Sequence, residues 1–302
     1  MSEWRDTAAR TAQGIRLRVF EHVLRNGEGY LSQALSSAEI FALLYGPVLR
    51  LGPVDGSTTP APFEGVPGPT NDHYRSGSRF NGAAAADRDR LIFSPAHYAL
   101  VLYAALIEVG RLDEAALRDF NVDGSTLEMI GAEHSPGVES TTGSLAQALS
   151  QAAGIAMGRR MKGETGATWV MMSDGEFEEG QTWEALSFAS YQGLDRLKVV
   201  VDANGQQCDG RIETVANIEP LGERIAAFGW DVREVDGHDL DAMHQAMTAL
   251  SDRPLMVVAR TNPTQGVPIF ADKAPLLHTL RFSSDQEKAD YQDAYRQMAE
   301  AR

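Results

Sequence analysis

Four short apolar runs, TWVMM (168–172), LKVVVD (197–202), DVREV (231–235) and LMVVA (255–259), alternate with helix-like stretches at 181–192, 221–228 and 240–250. Runs this short, rich in Val and Met, read as buried strands. Strands separated by helices imply a parallel sheet, because each crossover lays its helix on a face of that sheet. The expected fold class is therefore α/β: a doubly wound parallel sheet with helices on both faces.

Other segments fit the same plan. Ser36 followed by Glu39 matches a capping box ahead of an apolar run, and 96–109 is apolar all round, as a buried helix would be. Residues 145–161 are alanine-rich with Gly154 and Gly158, a helix suited to close packing. The stretch 285–302 reads as an exposed amphipathic helix. Residues 52–86 are rich in Gly, Pro, Ser, Thr and Ala without periodicity, and such a length is either a flexible excursion or a lid. The whole chain, 1–302, is read as one domain.

Composition excludes several classes of function. A formal charge of −15 argues against nucleic acid or an anionic membrane as partner. No run approaches the roughly 18 apolar residues of a membrane span, and the N-terminus lacks a signal peptide's apolar core. A single cysteine, Cys208, rules out an internal disulfide framework and suits a reducing cytoplasm.

The stretch SDGEFEEGQTW (173–183) crowds four carboxylates beside glycine directly after an apolar strand. Ligands of open α/β sheets bind beyond the C-terminal ends of strands. Asp174-Gly175 follows the first run, and Asn204-Gly205 follows the second in the same way. Each pair alone is an ordinary turn signal. If the two strands are neighbours, a carboxylate, an amide oxygen and a nearby main-chain carbonyl converge, the hard oxygen ligands that Mg²⁺ or Ca²⁺ prefers. Gly175 would let backbone approach a phosphate at the following helix N-terminus.

The string SDGEFEEGQTWEA…LDRLKVVVDANGQQCDG resembles the diphosphate-binding portion of transketolases. RLIFSPAHYALVLYAAL, HSPGVESTTGSLAQALSQAAGIAMG, AFGWDVREVDGHDL and RPLMVVARTNPTQGV follow the family's order, from about Arg10 to His278. The resemblance implies thiamine diphosphate and Mg²⁺ as cofactors. Asp174, Asn204 and the main-chain carbonyl of Gln206 would bind the metal. Gly175 and the adjoining Glu176 would meet the cofactor, with Gly143 and Leu145 as backbone contacts. His97 would approach the diphosphate and the reaction centre, and Glu179 and Glu184 would sit near the subunit contact. His278 falls one residue out of register with a late family histidine.

Departures from the family concern the substrate. Tyr30 and Met129 stand where the resemblance expects histidines, and His134 lies a few residues from the second. Ala146 and Ala148 replace glycines. TNPTQGV lacks glycines of the family's T-x-K-G-K-G-V segment. The resemblance also covers only a diphosphate-binding half, whereas the pyrimidine-binding domain supplies the glutamate that sets the cofactor's aminopyrimidine tautomer. These features imply a subunit that works with a separate pyrimidine-binding chain, two copies of each (α2β2), transferring a small carbon fragment from a ketose or 2-oxo acid donor. A 2-oxo-acid-decarboxylating ligase or dehydrogenase component and a non-catalytic assembly subunit are the alternatives.

Overall fold

A computed structural model describes residues 3–301. Its centre is a five-stranded sheet of β1 (Arg90–Phe93), β2 (Thr168–Ser173), β3 (Leu197–Ala203), β4 (Asp231–Asp236) and β5 (Leu255–Arg260). The spatial order is β1-β2-β3-β5-β4, with every neighbouring pair parallel. The period-2 alternation of strand side chains divides the interior into two cores. Leu91, Phe93, Trp169, Met171, Val200, Val257 and Ala259 face one side. Ile92, Val170, Met172, Val199, Val201, Met256 and Val258 face the other.

Helices α1 (Glu3–Asn26), α2 (Leu31–Leu43), α3 (Ala99–Glu108), α7 (Leu240–Thr248) and α8 (Asp285–Glu300) build the first core. Helices α4 (Gln147–Met161), α5 (Gly180–Tyr191) and α6 (Leu221–Ala227) build the second. The doubly wound α/β reading is borne out. α8 is amphipathic, as expected, and it turns Tyr291 and Met298 inward.

Three expectations are corrected. DVREV is not a buried strand: β4 is one edge of the sheet, pairing with β5 alone, and Arg233 and Glu234 are exposed on it, a charged edge that resists further strand addition. Ser36 and Glu39 do not start a helix, since α2 begins at Leu31 and runs through both. A buried acceptor draws the Ser36 hydroxyl away from local capping: it donates to Asp202 Oδ2 at 2.6 Å, while Glu39 pairs with Arg16 and His238. On α4 the alanines at 148, 152, 153 and 156 pack against the sheet, whereas Gly154 and Gly158 are not the close-packing residues, for a Cβ on either would meet no atom within 4 Å.

Residues 52–86 carry one 3₁₀ turn, Gly77–Asn81, and are tied down at several points. Gly77 N–H donates to the Glu133 carbonyl at 2.7 Å and the Gly77 carbonyl accepts from Gly137 N–H at 2.9 Å. A Cβ at Gly77 would lie 1.7 Å from the Ser135 oxygen, so only glycine fits that approach. Asn81 bridges Tyr45, the Gly137 carbonyl and Glu139.

Candidate functional site

The site lies where β1, β2 and β3 end. β2 and β3 are neighbours in register, Ser173 opposite Asp202, so the turns that follow them meet. Asp174 Oδ2 accepts the Gly205 N–H at 2.7 Å and Oδ1 accepts the Gly175 N–H at 3.0 Å. Gly205 holds φ at 72°, a conformation glycine adopts without strain. Asn204 Oδ1 accepts the Gln206 N–H at 2.9 Å. The two strand-end turns read from the sequence are thus one structure.

Sequence reasoning missed what lies behind them. Asp202 is fully buried and accepts hydrogen bonds from Ser36, Thr261, Tyr98 and Asn204. Burial pushes the Asp174 carboxyl well above the usual carboxylate range, and the Asp202 charge pushes the same way. The N–H groups of Gly205 and Gly175 oppose that shift. Burial likewise raises Asp202, against its four donors. Two buried carboxylates side by side favour a bound cation. Among the described residues no group of three or more His, Cys, Asp or Glu could hold a metal. A cation here would therefore also draw on amide and main-chain oxygens, which Asn204 and Gln206 offer.

A cleft of about 310 Å³ opens over this turn, lined among others by His97, Leu145, Gly175, Glu179, Asn204 and His278. The hairpin pairing Gln206–Gln207 with Gly210–Arg211 forms one wall. Gln206 Oε1 and Gln207 Nε2 are buried there without a hydrogen-bond partner, polar atoms that a ligand in the cleft could satisfy.

Glu176 is fully buried and its carboxylate does not open into the cleft. It accepts from the Ser94 hydroxyl, from Ser173 N–H at 2.8 Å and from Ala146 N–H at 3.1 Å. That knot ties the ends of β1 and β2 to the start of α4. Ala146 sits there at φ 72°, a left-handed conformation that glycine adopts more readily than alanine. Gly143, at φ 117°, is exposed, and a Cβ on it would touch Ile130 and Ala96.

At the mouth, three residues far apart in sequence converge. Tyr30, just before α2, meets His97 and His278 edge-on, with ring centroids 5.9 and 5.5 Å away, and His97 lies 5.2 Å from His278. Burial, with a smaller contribution from His278, pulls the His97 imidazole down to about 3, so it is neutral at ordinary pH. Burial also lowers His278.

The remaining candidates lie elsewhere. Glu179 lines the cleft from the N-terminus of α5, whereas Glu184 is exposed one turn along that helix. Met129 is exposed outside the cleft lining. His134 lies outside the cleft lining, its ring tilted against Phe63 with centroids 4.6 Å apart and Nε2 3.1 Å from Glu128.

Residues 77–281 match the family described as "Transketolase, thiamine diphosphate binding domain". The chain belongs to the transketolase family. It is 36% identical over 273 residues to a transketolase family protein of Sinorhizobium fredii, covering 87% of this chain and 88% of that one. It is 30% identical to a 6-deoxy-6-sulfo-D-fructose transketolase subunit of a Clostridium species, covering 96% of both. In three dimensions it superposes on a transketolase of Pichia stipitis with a TM-score of 0.70 at 21% identity, covering 98% of this chain and 45% of that one. The chain thus spans about half the length of that solved transketolase, while matching family members of its own length nearly end to end. Among the described residues no helix is long and apolar enough to cross a membrane.

Proposed function

We propose that this chain is the diphosphate- and Mg²⁺-binding subunit of a two-chain transketolase-like enzyme, moving a small carbon fragment from a ketose or 2-oxo acid to an acceptor. The observation that carries the reading is the joined turn of Asp174, Asn204, Gly205 and Gln206 at the floor of a cleft with unsatisfied buried polar atoms. Asp174, Asn204 Oδ1 and the Gln206 carbonyl would hold Mg²⁺, and Gly175 would let the diphosphate lie against the backbone. Thiamine diphosphate, when bound, supplies the carbanion chemistry. The protein's share is to fix the diphosphate, exclude water and present His97, a neutral imidazole able to accept or donate a hydrogen bond at the reacting carbon. His278 and Tyr30 close the mouth beside it. Leu145 and the exposed backbone at Gly143 would border the cofactor's ring end.

A relative of the same length is named a subunit, and solved transketolases have about twice this length, which supports a separate partner carrying the pyrimidine-binding domain. Glu179 and Glu184, both exposed at the start of α5, would face that assembly, two copies of each chain. The chain's single cysteine fits a cytoplasmic enzyme.

The substrate is tested on the reconstituted pair. Two-carbon transfer from a ketose should be measured beside CO₂ release from pyruvate. A ring-lined mouth with Tyr30 in place of a histidine should give weak turnover of xylulose 5-phosphate with ribose 5-phosphate, because sites built to bind hydroxyls lose orders of magnitude without their polar partner. Efficient turnover of that pair would refute the substrate reading. CO₂ release without transfer would establish the decarboxylating alternative.

A further inference from the structure

We infer that Asp202 and Tyr98 are positioning residues, which lock the Asn204 side-chain amide with its oxygen turned toward the cation site. The inference rests on the metal-site reading above and concerns how one of its ligands is aimed.

A side-chain amide has two nearly isosteric ends, and only one of them can bind a cation. At Asn204 both ends have partners of fixed polarity. Nδ2 donates to Asp202 Oδ2 at 3.2 Å and to the Tyr98 hydroxyl at 3.1 Å, and Oδ1 accepts the Gln206 N–H at 2.9 Å. Reversing the amide would set oxygen against a carboxylate and an NH₂ group against a backbone N–H. Both ends would clash, so the amide sits one way round.

The clamp is itself held rigidly. The Tyr98 hydroxyl donates to Asp202 Oδ2 at 3.0 Å while accepting from Asn204, closing a three-membered ring of contacts. Ser36 of α2 and Thr261 at the end of β5 donate to the same carboxylate. Asp202 is fully buried and Tyr98 nearly so, so water offers no competing partner. The Tyr98 hydroxyl and the Asp202 carboxylate are bonded to each other and to the Asn204 amide, although Tyr98 also lines the cleft. Asp202 is spent on four donors, and what it delivers to the site is the direction of Asn204. Partners behind a ligand that fix its orientation typically change metal affinity by roughly 10–100-fold when removed.

The test is a calorimetric titration of Mg²⁺ into the full 302-residue chain with thiamine diphosphate in excess, for wild type, Tyr98→Phe, Asp202→Asn and Asp174→Asn, each checked for fold by circular dichroism. The inference expects Tyr98→Phe and Asp202→Asn to weaken Mg²⁺ by roughly 10–100-fold, with cofactor binding restored when Mg²⁺ is raised. A merely structural role would not be rescued by metal. Wild-type Mg²⁺ affinity in Tyr98→Phe, with Asp174→Asn defective, overturns the positioning role and leaves the metal site standing. Undiminished affinity in Asp174→Asn overturns the site and the inference together. If Asp202→Asn does not fold, Tyr98→Phe decides, because it removes a single oxygen.

Discussion

At the floor of the cleft, Asp202 takes hydrogen bonds from Asn204, Tyr98, Ser36 and Thr261, and beside it Asp174 takes the N–H groups of Gly175 and Gly205. At its mouth, Tyr30, His97 and His278 touch ring to ring, and among the described residues none of these side chains makes a hydrogen bond. The floor is polar, its carboxylates and the Asn204 amide held by hydrogen bonds, while Gln206 Oε1 and Gln207 Nε2 beside it wait for a ligand; the mouth is apolar in its contacts and free to bond something else. A diphosphate and its cation make the same demands whatever the substrate, so their site can be built once into strand ends. On the proposed reading the mouth would carry the substrate contacts, and its rings could change without disturbing the hydrogen bonds of that floor.

The largest effect that could break this contrast lies at the floor. Asp174→Ala or Asn204→Ala should abolish Mg²⁺-dependent cofactor binding, because each removes one of about six hard-oxygen ligands, which water replaces poorly beside a diphosphate. The fold should survive, as the sheet does not depend on either side chain. Unchanged affinity by calorimetry in either variant would remove the metal from the account.

The mouth should reveal itself through pH. His97 titrates near 6.5 when unfolded and at about 3 when folded, the shift coming first from burial. Between those values the unfolded state binds the extra proton, so His97 costs stability as pH falls through 6.5 toward 3, by up to ~1.4 kcal/mol per pH unit. His97→Gln should flatten the decline in stability between pH 6 and 4.5, measured by urea unfolding. Parallel curves for the two proteins would mean that the imidazole is not desolvated. His22, drawn down to about 4 by burial and Arg25, is untouched by this variant and cancels in the difference.

A smaller effect sharpens the border between the regions. Ala146 holds a left-handed backbone that a Cβ disfavours by about 1–2 kcal/mol. Ala146→Gly should therefore stabilise the chain by about 1 kcal/mol, offset in part by glycine's greater freedom when unfolded. A lower melting temperature would show that the α4 start is not strained.

The same contrast explains what can be read from the amino-acid sequence. Strands β2, β3 and β5 announce themselves because buried parallel strands are unbroken apolar runs. β1 is only RLIF, four residues opening on an arginine, and its place comes through the family resemblance. β4 is legible as a strand, and its Arg233, Glu234 and Asp236 are the local sign of an exposed edge, which a reading as a buried strand passes over. Asp174-Gly175 and Asn204-Gly205 are legible since each sits directly after a strand. Asp202, two residues before Asn204, reads in the sequence only as the last residue of a strand. Tyr98 is hidden in the apolar run 96–109, just ahead of α3, and Ser36 mimics a local capping pattern; their common acceptor is 104 and 166 residues away along the chain. Tyr30, His97 and His278 can be proposed one at a time, but only the fold brings their rings together.

The account holds that this chain completes the floor of the active site and leaves the cofactor's ring end to a partner. The direct measurement is carbon transfer by the purified 302-residue chain alone, with Mg²⁺ and thiamine diphosphate saturating and a ketose donor and an aldose acceptor present. The account predicts no turnover until a chain with a pyrimidine-binding domain is added. Sustained carbon–carbon transfer by the isolated chain would contradict it.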